Sequence, residues 1–97
     1  MKIGFTASAF DLLHCGHVSM LEEAKSNCDY LICGLHVDPS LSRPSKNKPS
    51  QTLVERYTQL RAVSFVDEIL PYETEEDIID IMLLRRVGVR IIGEEYK

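Results

Sequence analysis

Two histidines three positions apart, His14 and His17, are the residues of this chain best suited to chemistry, because Gly16 lies between them and a polar turn precedes them. Imidazole N–H groups can donate hydrogen bonds to phosphate oxygens as negative charge builds on them. Glycine has no Cβ, so a phosphate can approach its backbone closely. At the start of a helix, where backbone N–H groups and the helix dipole attract anions, these residues predict a site for a nucleoside triphosphate.

The elements around this stretch should place both histidines at the edge of a sheet. An apolar strand over residues 2–7 runs into the turn, and apolar residues at helical spacing predict a helix from Val18 to about Asn27. Residues 30–37 form a continuous apolar run, long enough for a central parallel strand. The first 37 residues are therefore predicted to form a strand–helix–strand unit.

The second half of the chain repeats this alternation. Thr52 and Thr74 each begin a capping box, with Glu55 and Asp77 three residues later, and so predict the starts of two helices. Strand and helix alternate throughout, which predicts an α/β fold with a parallel sheet. Two further strands are predicted, over residues 65–70 (ended by Pro71) and over residues 89–93.

The apolar periodicity also predicts which side chains form the core. In the helix after Thr74, the inward stripe is predicted to be Ile78, Ile79, Met82 and Leu83. The full set of predicted core positions is Ile3, Phe5, Leu21, Leu31, Ile32, Leu35, Leu60, Val66, Ile69, Ile79 and Ile91.

The bulk composition limits the class of protein. The net charge of −4 argues against a nucleic-acid surface, which is usually basic. No apolar run approaches 18 residues, so no membrane span is predicted, and because the chain starts directly on a strand we expect no signal peptide and a cytoplasmic location. The three cysteines are expected to be free thiols, and their spacing predicts no metal site.

Residues 38–50 form the one long polar segment, with three prolines and the cations Arg43, Lys46 and Lys48. A flexible surface loop is one interpretation. The other is a basic lid over phosphates, since the segment follows a parallel strand at the edge where ligands bind in open α/β sheets.

The residues named so far resemble a known family. The HxGH sequence at residues 14–17, preceded by FDLL at 10–13, resembles the signature of the nucleotidyltransferase superfamily, in its cytidylyltransferase branch and most closely the glycerol-3-phosphate cytidylyltransferases. The resemblance runs along the whole chain, with further matching segments at residues 22–25, 29–31, 55–57, 65–71 and 93–97.

The resemblance implies a Rossmann-like three-layer α/β/α fold, in which an acceptor phosphate attacks the α-phosphate of CTP and pyrophosphate leaves. It also implies Mg²⁺ with the triphosphate, a phosphorylated small alcohol such as glycerol 3-phosphate as acceptor, and a homodimer. The implied catalytic residues are His14, His17 and Lys46; the implied nucleotide-binding residues are Ser8, Ala9, Phe10, Gly16, Lys48 and Glu95; and the implied substrate-binding residues are Asp11, Lys46 and Arg56.

Three departures from the family pattern bear on this expectation. Ser8 and Ala9 stand where the family turn offers Gly-Thr, and Ser64 stands where a family arginine binds the substrate phosphate. Four strands are expected here without the family's fifth, because family members continue for roughly thirty residues more. Residues 1–97 are therefore expected to be one C-terminally incomplete nucleotidyltransferase domain: a truncated sequence, a chain completed by a partner, or a shortened protein.

Several alternatives stay open at the level of sequence. Asp11 either orients the turn or lies near the substrate, and Arg56 lies either on a solvated helix face or near the site. His36 ends a strand and either reaches the site or is a packing or surface histidine. Two rival functions are an adenylyltransferase of the same superfamily and a non-catalytic nucleotide-binding module.

Overall fold

The sheet is built on two central strands that pair in parallel along their whole length. The computed structural model describes residues 1–42 and 47–92. Within them the strands are β1 (Ile3–Ser8), β2 (Tyr30–His36), β3 (Glu68–Tyr72) and β4 (Val89–Arg90), all parallel and in the order β3-β2-β1-β4. The helices are α1 (Cys15–Ser26), α2 (Pro39–Ser42), α3 (Leu53–Arg61) and α4 (Glu75–Leu84).

The core has two parts, one on each face of the sheet. Because side chains alternate along a strand, Leu31, Cys33 and Leu35 of β2 pack on the face that α1 and α3 cover, with Leu21 and Leu60. Ile32 points to the other face, where it packs with Phe5, Tyr72 and Ile78 of α4. Helices therefore cover both faces, and the predicted Rossmann-like three-layer α/β/α fold is confirmed.

Gly34 marks the tightest point of the second core. A Cβ on this residue would lie 2.7 Å from Cζ of Phe5 and 3.1 Å from Cδ1 of Tyr72. The two aromatic rings therefore occupy the space that any larger residue at this position of β2 would need.

Both predicted capping boxes are present. The Thr52 hydroxyl accepts from the N–H of Glu55 at 3.1 Å, and the Glu55 carboxylate accepts from the N–H of Thr52 at 2.8 Å. Thr74 and Asp77 exchange the same pair of bonds at 3.2 and 3.0 Å. These bonds satisfy backbone donors that a helix start leaves without partners, and they fix the starts of α3 and α4.

Several predicted element boundaries were wrong. Strand β3 begins at Glu68, three residues later than predicted, and β4 ends at Arg90, short of the predicted end at residue 93. Helix α1 begins at Cys15 rather than Val18, and the segment predicted as irregular after β2 contains the short helix α2. Pro71 lies inside β3 instead of ending it. The carbonyl of the next residue, Tyr72, accepts from Val37 of the β2 side, so the backbone of Pro71 faces outward from this edge strand, where a missing N–H breaks no bond of the sheet.

The core prediction was right for six positions and wrong for one. Ile3, Val66, Ile69 and Ile91 are partly buried and pack against the two clusters, but Ile79 is 48% exposed. The buried stripe of α4 begins at Ile78 and continues through Ile81 and Met82, which leaves Leu83 exposed as well. The fully buried predicted positions are Phe5, Leu21, Leu31, Ile32, Leu35 and Leu60.

Across residues 1–42 and 47–92, we find no helix with the length and apolar character needed to cross a membrane.

Candidate nucleotide-binding site

Both histidines cap the start of helix α1 by accepting backbone hydrogen bonds on their rings. His14 is the N-cap residue, and its Nδ1 accepts a hydrogen bond from the N–H of Gly16 at 3.0 Å. The Nδ1 of His17 accepts in turn from the backbone N–H of His14 at 3.1 Å, and the two ring centroids lie 4.1 Å apart. This reciprocal pattern is a capping box in which imidazoles replace the usual hydroxyl and carboxylate, and it explains why α1 starts earlier than its apolar spacing predicts.

The cap determines which nitrogen of each neutral ring carries the proton. A backbone N–H can donate only to a ring nitrogen that carries no proton, so each Nδ1 is an acceptor and each neutral ring carries its proton on Nε2. Burial lowers the pKa of His17, the neighbouring His14 lowers it further, and the carboxylate of Asp11 opposes both effects. In its neutral form each ring therefore offers its N–H donor at Nε2.

The turn between β1 and α1 has a strained backbone. Phe10 and Leu12 have φ values of 49° and 50°, in the left-handed region that non-glycine residues rarely adopt. The ring of Phe10 is buried in the core beside His17, at a centroid distance of 5.9 Å, whereas Leu12 is 57% exposed. Ser8 contributes a hydroxyl that accepts from the N–H of Phe10 at 3.3 Å.

Asp11 fastens this turn to the segment before α3. Its two carboxylate oxygens accept from the backbone N–H groups of Ser50 at 2.7 Å and Gln51 at 2.9 Å. Partial burial would raise the pKa of Asp11, but these hydrogen bonds and the charge of Arg56 together hold it below its usual value. Of the two interpretations left open by the sequence, the structure shows the orienting one; contact with substrate stays a prediction.

Arg56 is buried, so the solvated-face interpretation was wrong. Only 2% of the residue is exposed, and its guanidinium donates to the carbonyls of Ala9 (3.1 Å), Val37 (2.7 Å) and Gln51 (3.2 Å), as well as to that of His36. Burial lowers the pKa of Arg56 while Asp11 and Asp38 raise it, and the group remains a cation at neutral pH. Its predicted contact with substrate is untested, but its described bonds join the turn, the end of β2 and the start of α3.

The remaining predicted residues are distributed as follows. The N–H of Gly16 donates to His14, and the carbonyl of Ala9 accepts from Arg56. Lys48 is exposed, two residues before the segment bonded to Asp11. The ring of His36 stacks on Tyr72 at 4.6 Å, which is the packing interpretation. Lys46 and Glu95 lie outside the described residues, and so does the whole of the predicted 93–97 match.

The described residues do not build a metal cage. Within residues 1–42 and 47–92, no three His, Cys, Asp or Glu side chains are grouped so that they could hold a metal ion. Both oxygens of Asp11, the acidic residue of the turn, already accept backbone N–H groups. Any cation at this site would therefore depend on ligand oxygens more than on protein carboxylates.

All of these contacts meet at one edge of the sheet. The histidine turn follows the carboxyl end of β1. The guanidinium of Arg56 donates to carbonyls in the segments that follow β1 and β2. Open α/β sheets bind ligands at this carboxyl edge. Fold and site together define an α/β domain in which a histidine-capped helix start lies at the carboxyl edge of the sheet.

The chain belongs to the cytidylyltransferase-like family, whose model matches residues 5–96. It is 39% identical over 97 residues to the bifunctional protein HldE of Caulobacter vibrioides and 38% identical over 96 residues to that of Acidiphilium cryptum. These matches cover 99% and 98% of this chain but 20% of each relative, so the chain spans about a fifth of the length of the curated relatives it matches.

Two solved structures share the architecture. A lipopolysaccharide core biosynthesis protein from Thermoplasma volcanium superimposes with a TM-score of 0.80 at 23% identity, covering 93% of this chain and 72% of that one. The pantoate-beta-alanine ligase from Francisella tularensis, complexed with beta-gamma ATP and beta-alanine, gives a TM-score of 0.50 at 29% identity, covering 81% of this chain and 30% of that one. The first likeness supports the fold.

Proposed function

We propose that this chain supplies the site for transfer of a nucleoside monophosphate from a nucleoside triphosphate to a phosphorylated small molecule. A phosphate oxygen of the acceptor donates an electron pair to the α-phosphorus and forms a new P–O bond. The bond between the α-phosphorus and the oxygen that bridges to the β-phosphate breaks, and its electron pair leaves with pyrophosphate. The observation that carries this proposal is the reciprocal cap of His14 and His17, which engages Nδ1 of both rings at a helix start and leaves Nε2 as the position for an N–H donor.

The contribution of these residues is electrostatic. Negative charge grows on the departing pyrophosphate, and donors that are already oriented stabilise it without reorganising. The start of α1 adds the positive end of its dipole. Loss of one well-placed donor from such a site costs about 3 kcal/mol, or roughly a hundredfold in rate.

Cations complete the proposal. Lys48, which is exposed near the anchored end of its segment, and Lys46 would neutralise phosphate oxygens of nucleotide and acceptor. Mg²⁺ would be carried mainly by the triphosphate, because the described carboxylates form no cage for it.

Two nucleotides are candidates. CTP is favoured by the family's description and by the resemblance to cytidylyltransferases. ATP is favoured by the 29% identical ligase that was solved with beta-gamma ATP, and by Ser8 and Ala9, which depart from the cytidylyltransferase turn. For the acceptor we propose a small phosphorylated alcohol or sugar, with glycerol 3-phosphate placed in question by Ser64.

Pyrophosphate release tests the proposal. The protein would be assayed with Mg²⁺, with CTP or ATP, and with a panel of phosphorylated alcohols and sugars. Release that requires one nucleotide and one acceptor supports the proposal and names both. Nucleotide binding without release under every pairing would instead support the non-catalytic binding module.

The same preparation tests two further expectations. We propose a homodimer in the cytoplasm, and sedimentation that shows only monomer at assay concentration would contradict the dimer. A His36→Ala variant is the matched control for histidine loss, because that ring stacks on Tyr72 rather than capping α1.

A further inference from the structure

Gln51, which the sequence did not single out, contacts three residues of the site with three different polar groups. Its backbone N–H donates to Asp11 at 2.9 Å, and its backbone carbonyl accepts from Nε of Arg56 at 3.2 Å. Its side-chain Oε1 accepts from the backbone N–H of Leu12 at 2.8 Å. The side-chain bond crosses 39 positions of sequence, so it joins the strained turn directly to the residue before the N-cap of α3.

Leu12 needs such an anchor more than its neighbour Phe10 does. Both residues have left-handed backbones, which cost about 1–3 kcal/mol each and persist where the surroundings hold them in place. Phe10 is held by its ring, which is 1% exposed. The side chain of Leu12 is 57% exposed, and the bond that the structure records for its backbone N–H goes to Gln51.

The position of Leu12 makes this anchor relevant to chemistry. Leu12 lies two residues before His14, whose backbone N–H and ring form both halves of the α1 cap. A change of backbone conformation at Leu12 would move His14 relative to His17 and relative to any bound phosphate. Misplacement of a catalytic group by about 1 Å can cost on the order of a hundredfold in rate.

We infer that Gln51 is a positioning residue of this site: its side-chain carbonyl holds Leu12 in the left-handed conformation that aims the two histidines at the triphosphate. This role rests on the proposed function. The same segment carries Lys48 three residues earlier, and Ser50 is bonded to Asp11, so one anchored segment positions the histidine turn and the lysine together.

A Gln51→Met variant tests the inference, because methionine keeps the length of the side chain and removes the acceptor. The matched control is Gln59→Met, the same exchange at an exposed position of α3. Below the unfolding transition, we expect Gln51→Met to lower kcat/KM for the triphosphate about tenfold, as expected for loss of one hydrogen bond that orients the reacting groups. Hydrogen exchange of the Leu12 amide should become at least several-fold faster, and Gln59→Met should change neither.

The exchange measurement separates this inference from the proposed function. A Gln51→Glu variant keeps an acceptor oxygen at the same reach and should return Leu12 exchange towards the wild-type rate. Faster exchange in Gln51→Met with unchanged kcat/KM would overturn the positioning role, and so would unchanged exchange. A wild-type protein that releases no pyrophosphate with any nucleotide would overturn the proposed function, and the role of Gln51 with it.

Discussion

The guanidinium of Arg56 donates to the carbonyl of Ala9 at 3.1 Å and so joins helix α3 to the turn that carries the histidines. A second nitrogen of the same group donates to Val37, after β2. A buried cation therefore holds together the segments that surround the proposed phosphate site, and its own charge adds to the positive potential there.

Replacing Arg56 should destabilise the fold strongly. Arg56→Met keeps the aliphatic length but leaves the carbonyls of Ala9, His36, Val37 and Gln51 without their donor, and a buried acceptor without a partner costs about 1–3 kcal/mol. We expect the free energy of unfolding in urea to fall by at least about 3 kcal/mol. Arg61→Met, on the exposed side of the same helix, should change it by less than about 0.5 kcal/mol. Equal effects of the two variants would contradict the buried role.

The two tasks of His14 can be separated by substitution. Asparagine is a good N-cap residue, so His14→Asn should retain the stability of α1 while it removes the Nε2–H donor. We expect kcat to fall about a hundredfold in this variant. His14→Ala should show the same loss of kcat and an additional loss of about 1 kcal/mol in the free energy of unfolding. Full activity in both variants would rule out His14 as a donor to the triphosphate.

The stability of the protein should depend on the protonation of His17. Because burial lowers the pKa of His17 in the folded state, the unfolded chain binds the proton first as the pH falls. The free energy of unfolding should therefore decrease from about pH 6.5 down to the lowered pKa of the folded state, and be unaffected by this group at higher pH.

A His17→Gln variant isolates this effect. Glutamine at the third helical position still accepts from the N-cap N–H, but it does not titrate. Urea unfolding at pH 7 and pH 5 should show a larger loss of stability for the wild type than for His17→Gln. Parallel losses in the two proteins would show that other groups cause the acid dependence.

The packing around Gly34 predicts that alanine lowers the stability of the protein more at Gly34 than at Gly88. In Gly34→Ala the new Cβ would lie 2.7 Å from Phe5 and would push two packed rings apart, at a cost of about 1–3 kcal/mol. In Gly88→Ala the nearest atoms, in Ile3 and Lys2, are 3.7 Å away, which is an ordinary contact. Thermal unfolding should show a lower Tm for Gly34→Ala only, and an unchanged Tm in both would mean that Phe5 and Tyr72 repack freely.

Local signals in the sequence predicted much of the fold. The hydroxyl–carboxylate pairs at Thr52 and Thr74 act within four residues, and both helix starts were predicted correctly. The apolar run of β2 likewise gave that strand within one residue. Ile79 of α4 was wrongly predicted as a core residue, because the adjacent Ile78 and Ile79 fit the helical period equally well. In the structure it is Ile78 that packs with Phe5 and Tyr72.

The sequence drew attention to the histidine turn but did not predict its hydrogen bonds. The spacing of His14 and His17 indicated a phosphate site, but a capping box built from imidazoles falls outside the usual residue types. Arg56 is buried against carbonyls up to 47 positions away in the sequence, and the hydrogen bond from Leu12 to Gln51 spans 39 positions. Contacts at such separations cannot be predicted from local sequence patterns. A polar residue directly before an N-cap was the one available hint of Gln51.

Pro71 makes the two edges of the sheet differ in their ability to pair with another strand. The nitrogen of Pro71 faces outward from edge strand β3 and carries no hydrogen. A further strand at that border would therefore lack one backbone N–H donor. At the opposite border, β4 contains no proline. Because Pro71 removes one N–H from it, the β3 border is the less suitable of the two for pairing with an additional strand.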